Sequence, residues 1–432
     1  MARKRKAVGE TSEKHIEATG GMSAALGAKS EATGTTAATE ARPSDPSAGA
    51  PRRLKVAVYA IAKNEEKFAA RWMDSMGEAD AIAVLDTGSS DTTAHLLRER
   101  GAQVRTRDYG DGFRFDVARN DSLAFVREAA PDADLLVCTD LDETFAKGWR
   151  ARLEAAWLAA CEEAEAEGLP APTTAQYEYV WSFREDGSDG TRFWYEKIHT
   201  PQSGAEWRHP VHEVLAYPDG QKSLVRVDGL RLEHHADPSK SRAQYLHLLE
   251  IGVEEDPADA RRVHYLGREY LFRGMWDRCI GTLKPYFALP SATYAAERAQ
   301  SMRFIARAYA AKGDAAQQEI WLRRAVDECA TQREAALDLA ELMYRQKDWP
   351  ALVRACERCL AVKERTMSHV TAPEAWGFRP HDLLSIGLWN LGRCRDALAA
   401  LDMALDLAPN TPRLVENRRI MIGHLEKTSW QG

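Results

Sequence analysis

The stretch Asp132–Glu143, DADLLVCTDLDE, joins an apolar run to a cluster of acids. Its centre has the short apolar composition that is typical of a buried strand. The run ends in three carboxylates, Asp140, Asp142 and Glu143. Acids at a strand end often only mark the surface, but two carboxylates two positions apart can also bind one Mg²⁺ or Mn²⁺ ion. The stretch predicts a strand and leaves both interpretations of its acids open.

The segments around this strand alternate between strand-like and helix-like patterns. Predicted strands are LKVAVYAIA (54–62), DAIAVLD (80–86), AQVRTRDY (102–109) and ADLLVCTD, and predicted helices are 63–76, 92–101, 116–129 and about 144–167. Such alternation predicts a parallel sheet with crossover helices. Ligands of these sheets bind beyond the carboxyl ends of the strands. Asp86 and Asp140, which each close a strand, are therefore expected on one edge.

The chain changes character after residues 174–235, which have the pattern of short strands and loops rich in aromatic residues. From about Ser239 only helical patterns follow, and the pair Ile305-Ala306 recurs as Leu339-Ala340, with a spacing of 34 residues from Ala306 to Ala340. This is the tetratricopeptide period. We expect about four degenerate tetratricopeptide repeats. Cys356 and Cys359 of CERC fall on the second helix of one repeat, so we expect core cysteines rather than a metal site.

Three segments follow from these patterns: a disordered tail over 1–53, an α/β domain over 54–238 and a helical repeat domain over 239–432. The tail is rich in small and polar residues and has no apolar periodicity. The 432 residues carry a net charge of −7, which gives no reason to expect nucleic acid or an anionic membrane as a partner. We find no run of eighteen apolar residues and no secretory signal. Seven scattered cysteines favour a cytoplasmic location.

Several polar motifs are expected on the same sheet edge as the acidic stretch. Asp86 precedes a Gly-Ser turn, and a carboxylate there can accept hydrogen bonds from a nucleobase or ribose. Asp91 stands at a helix start, where it is also expected to cap the helix. The remaining members are Lys63, Asn64 and Glu65 after the first strand, and Arg119 and Asn120 on the helix before the acidic strand.

Together these motifs resemble a known family. Lys-Asn-Glu (63–65), Asp-Thr-Gly-Ser-x-Asp (86–91), Ala-Arg-Asn (118–120) and Asp-x-Asp-Glu (140–143) occur in the order typical of family 2 glycosyltransferases. The resemblance covers about residues 54–240 and implies a GT-A fold, a Rossmann-like α/β domain with a mostly parallel sheet. With the trailing repeats, the chain is similar to bacterial and phage-encoded protein glycosyltransferases, including enzymes that modify Cys or Ser of bacteriocin peptides.

The resemblance implies roles for individual residues. Asp86 would contact the base or ribose of a nucleotide sugar. Asp142 would bind the metal directly, and Asp140 would lie near the ribose or a metal-bound water. Arg119 and Asn120 would hold the nucleotide, and the same binding set includes Lys63, Asn64, Glu65 and Asp91. Glu143 is expected only as the first acid of the next helix, where the helix dipole favours it.

Later residues supply a candidate base and a candidate histidine ligand. In EWRHPVHEVL, Glu213 is the candidate base for inverting transfer, and His212 would orient Glu213 or the acceptor. A solvated loop acid is the open alternative for Glu213. In LRLEHHADPSKS, His234 and His235 lie near the expected metal. Adjacent strand residues point to opposite faces, so at most one faces the metal, and we favour His235.

The leading hypothesis is a glycosyltransferase that depends on Mn²⁺ or Mg²⁺. It would move a hexose from a nucleotide sugar, most simply a UDP-sugar, to a protein or peptide, with inversion. The repeats would present the acceptor or pair two chains as a homodimer. Two alternatives stay open: transfer to modified DNA bases, which the acidic net charge disfavours, and an inert tetratricopeptide scaffold.

Overall fold

The computed structural model describes residues 53–218, 222–237, 240 and 244–429. The predicted disordered tail, 1–53, lies outside the described residues except for its last residue, Arg53. Within the described part, strands are concentrated before residue 235, and helices alone follow from Tyr245.

The sheet-containing region begins at β1 and ends at β10. Its strands are β1 (Val56–Ala62), β2 (Ala81–Asp86), β3 (Gln103–Thr106), β4 (Leu135–Cys138), β5 (Glu143–Phe145), β6 (Thr174–Val180), β7 (Arg192–His199), β8 (Glu206–Arg208), β9 (Val214–Ala216) and β10 (Leu224–His234). Its helices are α1 (Glu66–Met76), α2 (Thr93–Glu99), α3 (Phe115–Ala129) and α4 (Trp149–Glu167). Strands and helices alternate up to β4, as the sequence pattern predicts.

Eight strands form one mixed sheet in the order β3-β2-β1-β4-β7-β6-β10-β5. The pairs β2/β3, β1/β2, β1/β4 and β6/β10 are parallel. The pairs β4/β7, β6/β7 and β5/β10 are antiparallel. The first half of the sheet is therefore parallel as predicted. The second half is mixed because β6 and β7 form a hairpin, and a hairpin can connect only antiparallel strands.

Both faces of the parallel half are buried. Along β1, Val56 and Val58 pack with α1 and α4 on one face, whereas Ala57 and Tyr59 pack with α3 on the other. This alternation follows from the two-residue period of a strand. Because α1 and α3 lie on opposite faces, the strand order reverses between β1 and β4. Doubly wound sheets bind ligands in a crevice at the carboxyl ends of such a strand pair, and we call this region the crevice.

The helix predicted from about residue 144 begins later, at Trp149. Gly148, which precedes it, has a φ of +84°, a left-handed conformation that does not continue into a helix. Glu143 to Phe145 instead form β5, which pairs with β10. The prediction that Glu143 is the first acid of a helix is therefore wrong, because the residue belongs to a strand and is buried.

The helical region contains α5 (Tyr245–Glu255), α6 (Ala260–Phe272), α7 (Trp276–Tyr286), α8 (Ala295–Ala311), α9 (Ala315–Glu328), α10 (Glu334–Gln346), α11 (Trp349–Ala361), α12 (Arg379–Asn390), α13 (Cys394–Leu407) and α14 (Pro412–Ser429). Successive helices from α6 to α13 pack as four hairpins, and each hairpin packs on the next. No described helix combines the length and apolar character needed to cross a membrane.

Small residues allow these hairpins to pack closely. A Cβ on Gly267 of α6 would lie 2.3 Å from Leu283 Cγ of α7, and one on Gly387 of α12 would lie 2.9 Å from Val353 Cγ2 of α11. Ala306 and Ala340 are fully buried at the equivalent 34-residue spacing. The four hairpins therefore form a tetratricopeptide-like array. Cys356 and Cys359 lie in its apolar core, as expected.

Candidate functional site

The site is built on loops that follow β1, β2 and β4 at the crevice. Asp86 ends β2, and its Oδ1 accepts hydrogen bonds from the backbone N–H groups of Gly88 (3.1 Å) and Ser89 (3.0 Å). Gly88 has a φ of +100°, which favours glycine in this turn. The second oxygen, Asp86 Oδ2, is buried and has no hydrogen-bond partner among the described residues. Such an oxygen is costly unless a ligand or water completes it.

Two predicted binding residues tie neighbouring loops together. Asn64 Oδ1 accepts from the backbone N–H of Ser90 at 2.8 Å. Asp91 accepts from the backbone N–H of Thr93 at 3.0 Å through Oδ1, and from that of Glu66 at 3.2 Å through Oδ2. Through these contacts Asn64 and Asp91 fix the conformation of the loops that form the crevice. Lys63, the third residue of this edge, is exposed.

Glu65 is a buried acid at the start of α1. Its Oε1 pairs with the ammonium of Lys240, and its Oε2 is buried without a hydrogen-bond partner among the described residues. Burial raises the pKa of Glu65 to about 7, although the charge of Lys240 opposes that rise. Glu65 and Asp86 thus each hold an unpaired carboxylate oxygen at the same sheet edge.

Asp140, after β4, lies between two buried cations. It pairs with the Arg119 guanidinium, and its Oδ2 lies 3.2 Å from Lys197 Nζ. Burial alone would raise the pKa of Asp140, but Arg119 and Lys197 outweigh it and hold the pKa far below its usual range. Asp140 therefore carries a fixed negative charge that is already balanced by the protein.

Asp142 faces His234. The His234 Nε2 lies 3.6 Å from Asp142 Oδ2, and Lys240 Nζ lies 3.4 Å from the same oxygen. Burial raises the pKa of Asp142, but His234 and Lys240 outweigh it and lower the pKa overall. The His234 ring is stacked on Trp181 at 4.1 Å, and its Nδ1 lies 3.0 Å from the Trp181 carbonyl oxygen.

The neighbouring histidine faces away from Asp142. His235 Nε2 lies 3.0 Å from Thr144 Oγ1, and its ring stacks on Phe183. The geometry therefore favours His234 over His235 as the partner of Asp142. Strand alternation turns the two side chains to opposite faces, but it gives no basis for choosing which of them lies beside Asp142.

Glu143 is fully enclosed behind the crevice. Tyr179 donates its hydroxyl to Glu143 Oε1 at 2.7 Å, and the Asp140 backbone N–H donates to Oε2 at 2.9 Å. Burial raises the pKa of Glu143, and Lys197 offsets only part of that rise. This acid supports the loop that carries Asp140 and Asp142.

Arg119 links the acidic strand end to the candidate base. Its side chain is 3% exposed, and its Nε donates to Glu213 Oε1 at 3.0 Å while its Nη2 pairs with Asp140. Glu213 and Asp140 therefore lie on one guanidinium. Asn120, by contrast, pairs both ends of its amide with the backbone of Trp207, at 2.8 Å each, and so holds β8 against α3.

His212 does not face this cluster. Its ring stacks on Tyr265 of α6 at 4.1 Å, and its Nε2 lies 2.9 Å from Arg268 Nη2. The structure thus separates two neighbours that the sequence pattern grouped together. Glu213 faces the sheet edge, whereas His212 packs into the helical region.

Sequence reasoning missed Lys197, which lies under both Asp140 and Glu143. Burial lowers its pKa, but Asp140 and Glu143 outweigh burial and raise the pKa well above its ordinary value. A signal was present in RFWYEKIH, because Lys197 occupies the same inward-facing register as Phe193 and Tyr195. A lysine in such a register needs acidic partners.

A metal fits the Asp142–His234 pair in part. The His234 Nδ1 is placed to donate to the Trp181 carbonyl, an arrangement that frees Nε2 as a ligand and is common for metal-binding histidines. Within the described residues, no group of three or more His, Cys, Asp or Glu side chains is arranged to hold a metal. Mg²⁺ and Mn²⁺ commonly complete their shells with water and phosphate oxygens, so two protein ligands suffice.

No protein-family model and no curated protein matches the chain. Solved structures that resemble it include the MamA protein, at 15% identity over 37% of this chain and 79% of that one, with a TM-score of 0.30. Another is pilF of Pseudomonas aeruginosa, at 13% identity over 40% of this chain and 72% of that one, with a TM-score of 0.32. A third is YrrB, a TPR protein with an unusual peptide-binding site, at 15% identity over 41% of this chain and 82% of that one, with a TM-score of 0.31. Likenesses this distant carry no conclusion about activity or partners.

Proposed function

We propose that the chain is a glycosyltransferase that binds a nucleotide sugar, most simply a UDP-sugar, at the carboxyl ends of β1, β2 and β4. The observation that carries the proposal is a pair of buried carboxylate oxygens, Glu65 Oε2 and Asp86 Oδ2, which have no hydrogen-bond partner in the described part of the chain. Both lie at the crevice of a doubly wound sheet. Such carboxylate oxygens can accept hydrogen bonds from the hydroxyl and N–H groups of a nucleoside.

In this proposal, different residues bind the nucleoside and the diphosphate of the nucleotide sugar. Asp86 would receive the nucleoside, and Asp142 with His234 would hold Mn²⁺ or Mg²⁺. The bound ion would neutralise charge on the departing diphosphate. Arg119 and Lys197 add two buried positive charges beside Asp140. Asn120 is not among the proposed nucleotide contacts, because its amide already forms hydrogen bonds with the Trp207 backbone.

Glu213 is the proposed general base. In an inverting transfer, the acceptor hydroxyl or thiol attacks the anomeric carbon, the bond to the diphosphate oxygen breaks, and Glu213 takes the acceptor proton. An inverting base acts on the acceptor, on the face of the sugar opposite the leaving diphosphate. Glu213 suits this role because Arg119 holds its carboxylate at the same sheet edge as Asp140. A protein or peptide acceptor, and pairing of two chains through the repeats, belong to the same proposal.

Calorimetry with UDP and MnCl₂ tests the donor site. Wild-type protein is expected to bind UDP more tightly with Mn²⁺ than without it, and Asp142→Ala is expected to lose that gain. The control is Asp132→Ala in the same acidic stretch, because Asp132 is exposed and paired only with Lys55 in the described contacts. Asp132→Ala should bind as wild type does. Equal behaviour of both variants would remove the metal role from Asp142.

The alternative is a tetratricopeptide scaffold whose sheet region is inert. One observation favours it: the Lys240 ammonium lies between Glu65 and Asp142, where a cation would bind. An inert sheet region should not bind UDP, either with Mn²⁺ or without it. The same titration therefore separates the two functions.

A further inference from the structure

The loop between β8 and β9, residues 209–213, connects the proposed active site to the helical region. We call it the Glu213 loop. Val211 is buried among apolar residues of the helical region. The Pro210 carbonyl accepts a hydrogen bond from the Phe115 backbone N–H at 2.9 Å, where α3 begins. The loop is therefore held from both sides at the boundary between the two regions.

Helix α6 grips the loop at His212. The His212 and Tyr265 rings are 4.1 Å apart and 23° from parallel. Arg268 Nη2 lies 2.9 Å from His212 Nε2, and Arg261 Nη2 donates to the His212 carbonyl at 3.3 Å. Three residues before His212, His209 Nδ1 accepts a hydrogen bond from Arg262 Nε of the same helix at 2.9 Å. The imidazole, the carbonyl and the backbone path are all fixed by one helix.

The backbone of the loop needs such support. His209 and His212 have φ values of +84° and +55°, in the left-handed region that residues other than glycine seldom adopt. Such a residue raises the free energy of the fold, and the conformation persists only where surrounding contacts enforce it. His212 directly precedes Glu213, so its φ and ψ angles set the direction in which Glu213 leaves the loop.

The consequence reaches the proposed chemistry. Glu213 has a side chain that is only 13% exposed and points to Arg119 in the sheet region. We propose that the helical region completes the active site: Arg268, acting through His212, positions Glu213 for proton transfer. This inference rests on the proposed function of Glu213. Arg268 is a positioning residue, because it acts on Glu213 through His212. Its guanidinium also lies over the aromatic rings of Tyr265 and Phe272.

The test compares Arg268→Met with Arg303→Met in the full chain. Arg268 and Arg303 are each 8% exposed, and both lie on the first helix of a hairpin. Arg303 pairs with Asp338 and has no described contact with the Glu213 loop. Each variant removes one buried guanidinium and keeps an apolar stem. Arg303→Met also removes the ion-pair partner of Asp338, so it is the stricter control for general destabilisation. Arg268→Lys, which keeps a donor, serves as the conservative variant.

Two measurements are needed. The first is the rate of UDP release from UDP-glucose, UDP-galactose and UDP-N-acetylglucosamine with Mn²⁺. Arg268→Met should lower kcat about 10-fold to 100-fold with little change in KM, Arg268→Lys should restore part of it, and Arg303→Met should keep the wild-type kcat. The second is hydrogen exchange of peptides covering residues 206–216. It should become faster in Arg268→Met but not in Arg303→Met.

The outcomes distinguish the two proposals. If wild type binds no nucleotide sugar, the proposed function fails, and hydrogen exchange still decides whether Arg268 holds the loop. If wild type is active but the two methionine variants have equal kcat, the positioning role is overturned. Unchanged exchange at residues 206–216 in Arg268→Met would also overturn it. A fall in kcat shared by both variants would show only general destabilisation and would refute the specific role.

Discussion

The two ends of the same sheet carry acids in different ways. At the amino ends of the strands, Asp80 accepts from the Val56 backbone N–H at 2.9 Å and from Arg150 at 2.8 Å through Oδ2, while Arg53 donates to its Oδ1. Asp134 accepts from the Lys55 backbone N–H at 2.8 Å. These acids complete the hydrogen bonds of strand ends, which is a structural use.

At the carboxyl ends, the acids exceed what the backbone requires. Asp140, Asp142 and Glu143 crowd around Lys197, Arg119 and Lys240. Glu65 and Asp86 each keep one buried oxygen without a described partner. Buried polar groups without a partner cost free energy. Their clustering at the carboxyl ends of the strands therefore favours a binding site over a random distribution of surface acids. The following predictions test that difference.

The largest effect is expected from Glu213→Gln. The amide keeps the size of the side chain and a hydrogen-bonding oxygen but cannot take a proton, so the transfer rate should fall about 100-fold to 10,000-fold. UDP binding should persist, because Glu213 is not among the proposed donor contacts. The measurements are kcat for a nucleotide sugar and the Kd of UDP with Mn²⁺.

Glu206→Gln is the control for this variant. Glu206 lies on the neighbouring β8, is exposed and pairs only with Arg208 in the described contacts. It should keep the wild-type kcat. A Glu213→Gln protein as active as Glu206→Gln would leave the loop acid with no role in proton transfer and restore the alternative of a solvated acid.

The next effect separates two adjacent histidines. His234→Gln should weaken Mn²⁺ binding about 10-fold to 100-fold, because its Nε2 faces Asp142 and its Nδ1 is held by a carbonyl. His235→Gln should change Mn²⁺ binding little, since that ring contacts Thr144. Calorimetric titration of each variant with MnCl₂ in the presence of UDP makes the comparison. Equal losses, or a larger loss in His235→Gln, would contradict the assignment.

The parallel half of the fold was predictable because it follows from local pattern. Alternating apolar runs and helical spacing place β1 to β4 and α1 to α3 within a few residues of their observed bounds. The second half of the sheet was not predictable in this way. Strands β5 to β10 are short or bulged, and their order depends on hairpins and long-range pairing that no single segment encodes.

The site was predictable by position but not by partner. Strand ends placed Asp86, Asp140 and Asp142 on one edge, whereas the pairing of Arg119 with both Asp140 and Glu213 depends on α3 packing under β8. The contact of His212 with α6 joins residues more than fifty positions apart, and only the packing of the two regions brings them together.

A smaller effect is expected at Asp86. Asp86→Asn keeps an oxygen for the Gly88 and Ser89 N–H groups but replaces the unpartnered Oδ2 with a donor. Affinity for UDP should fall about 10-fold, roughly 1.4 kcal/mol, because the amide N–H₂ of asparagine would face a hydrogen-bond donor of the nucleoside in place of an acceptor. The melting temperature without ligand should change little. Unchanged UDP affinity would mean that the buried oxygen serves the fold rather than a nucleotide.

The smallest effect on activity is expected at the opposite end of the sheet. Burial raises the pKa of Asp80, but the Val56 N–H and Arg150 outweigh it, so the folded-state pKa lies below the ordinary value. A carboxyl with a depressed pKa stabilises the fold above its unfolded-state pKa of about 4, and that stability is lost as pH falls through the folded-state pKa. Asp80→Asn should therefore lower the free energy of unfolding by about 1 kcal/mol at pH 7, a figure that allows for partial solvent screening. The difference from wild type should shrink below about pH 4, as measured by urea unfolding.

UDP affinity and kcat of Asp80→Asn should stay at wild-type values, since an acid that only completes strand ends has no contact with the nucleotide sugar. A change in either value would mean that the two ends of the sheet do not divide structure from binding.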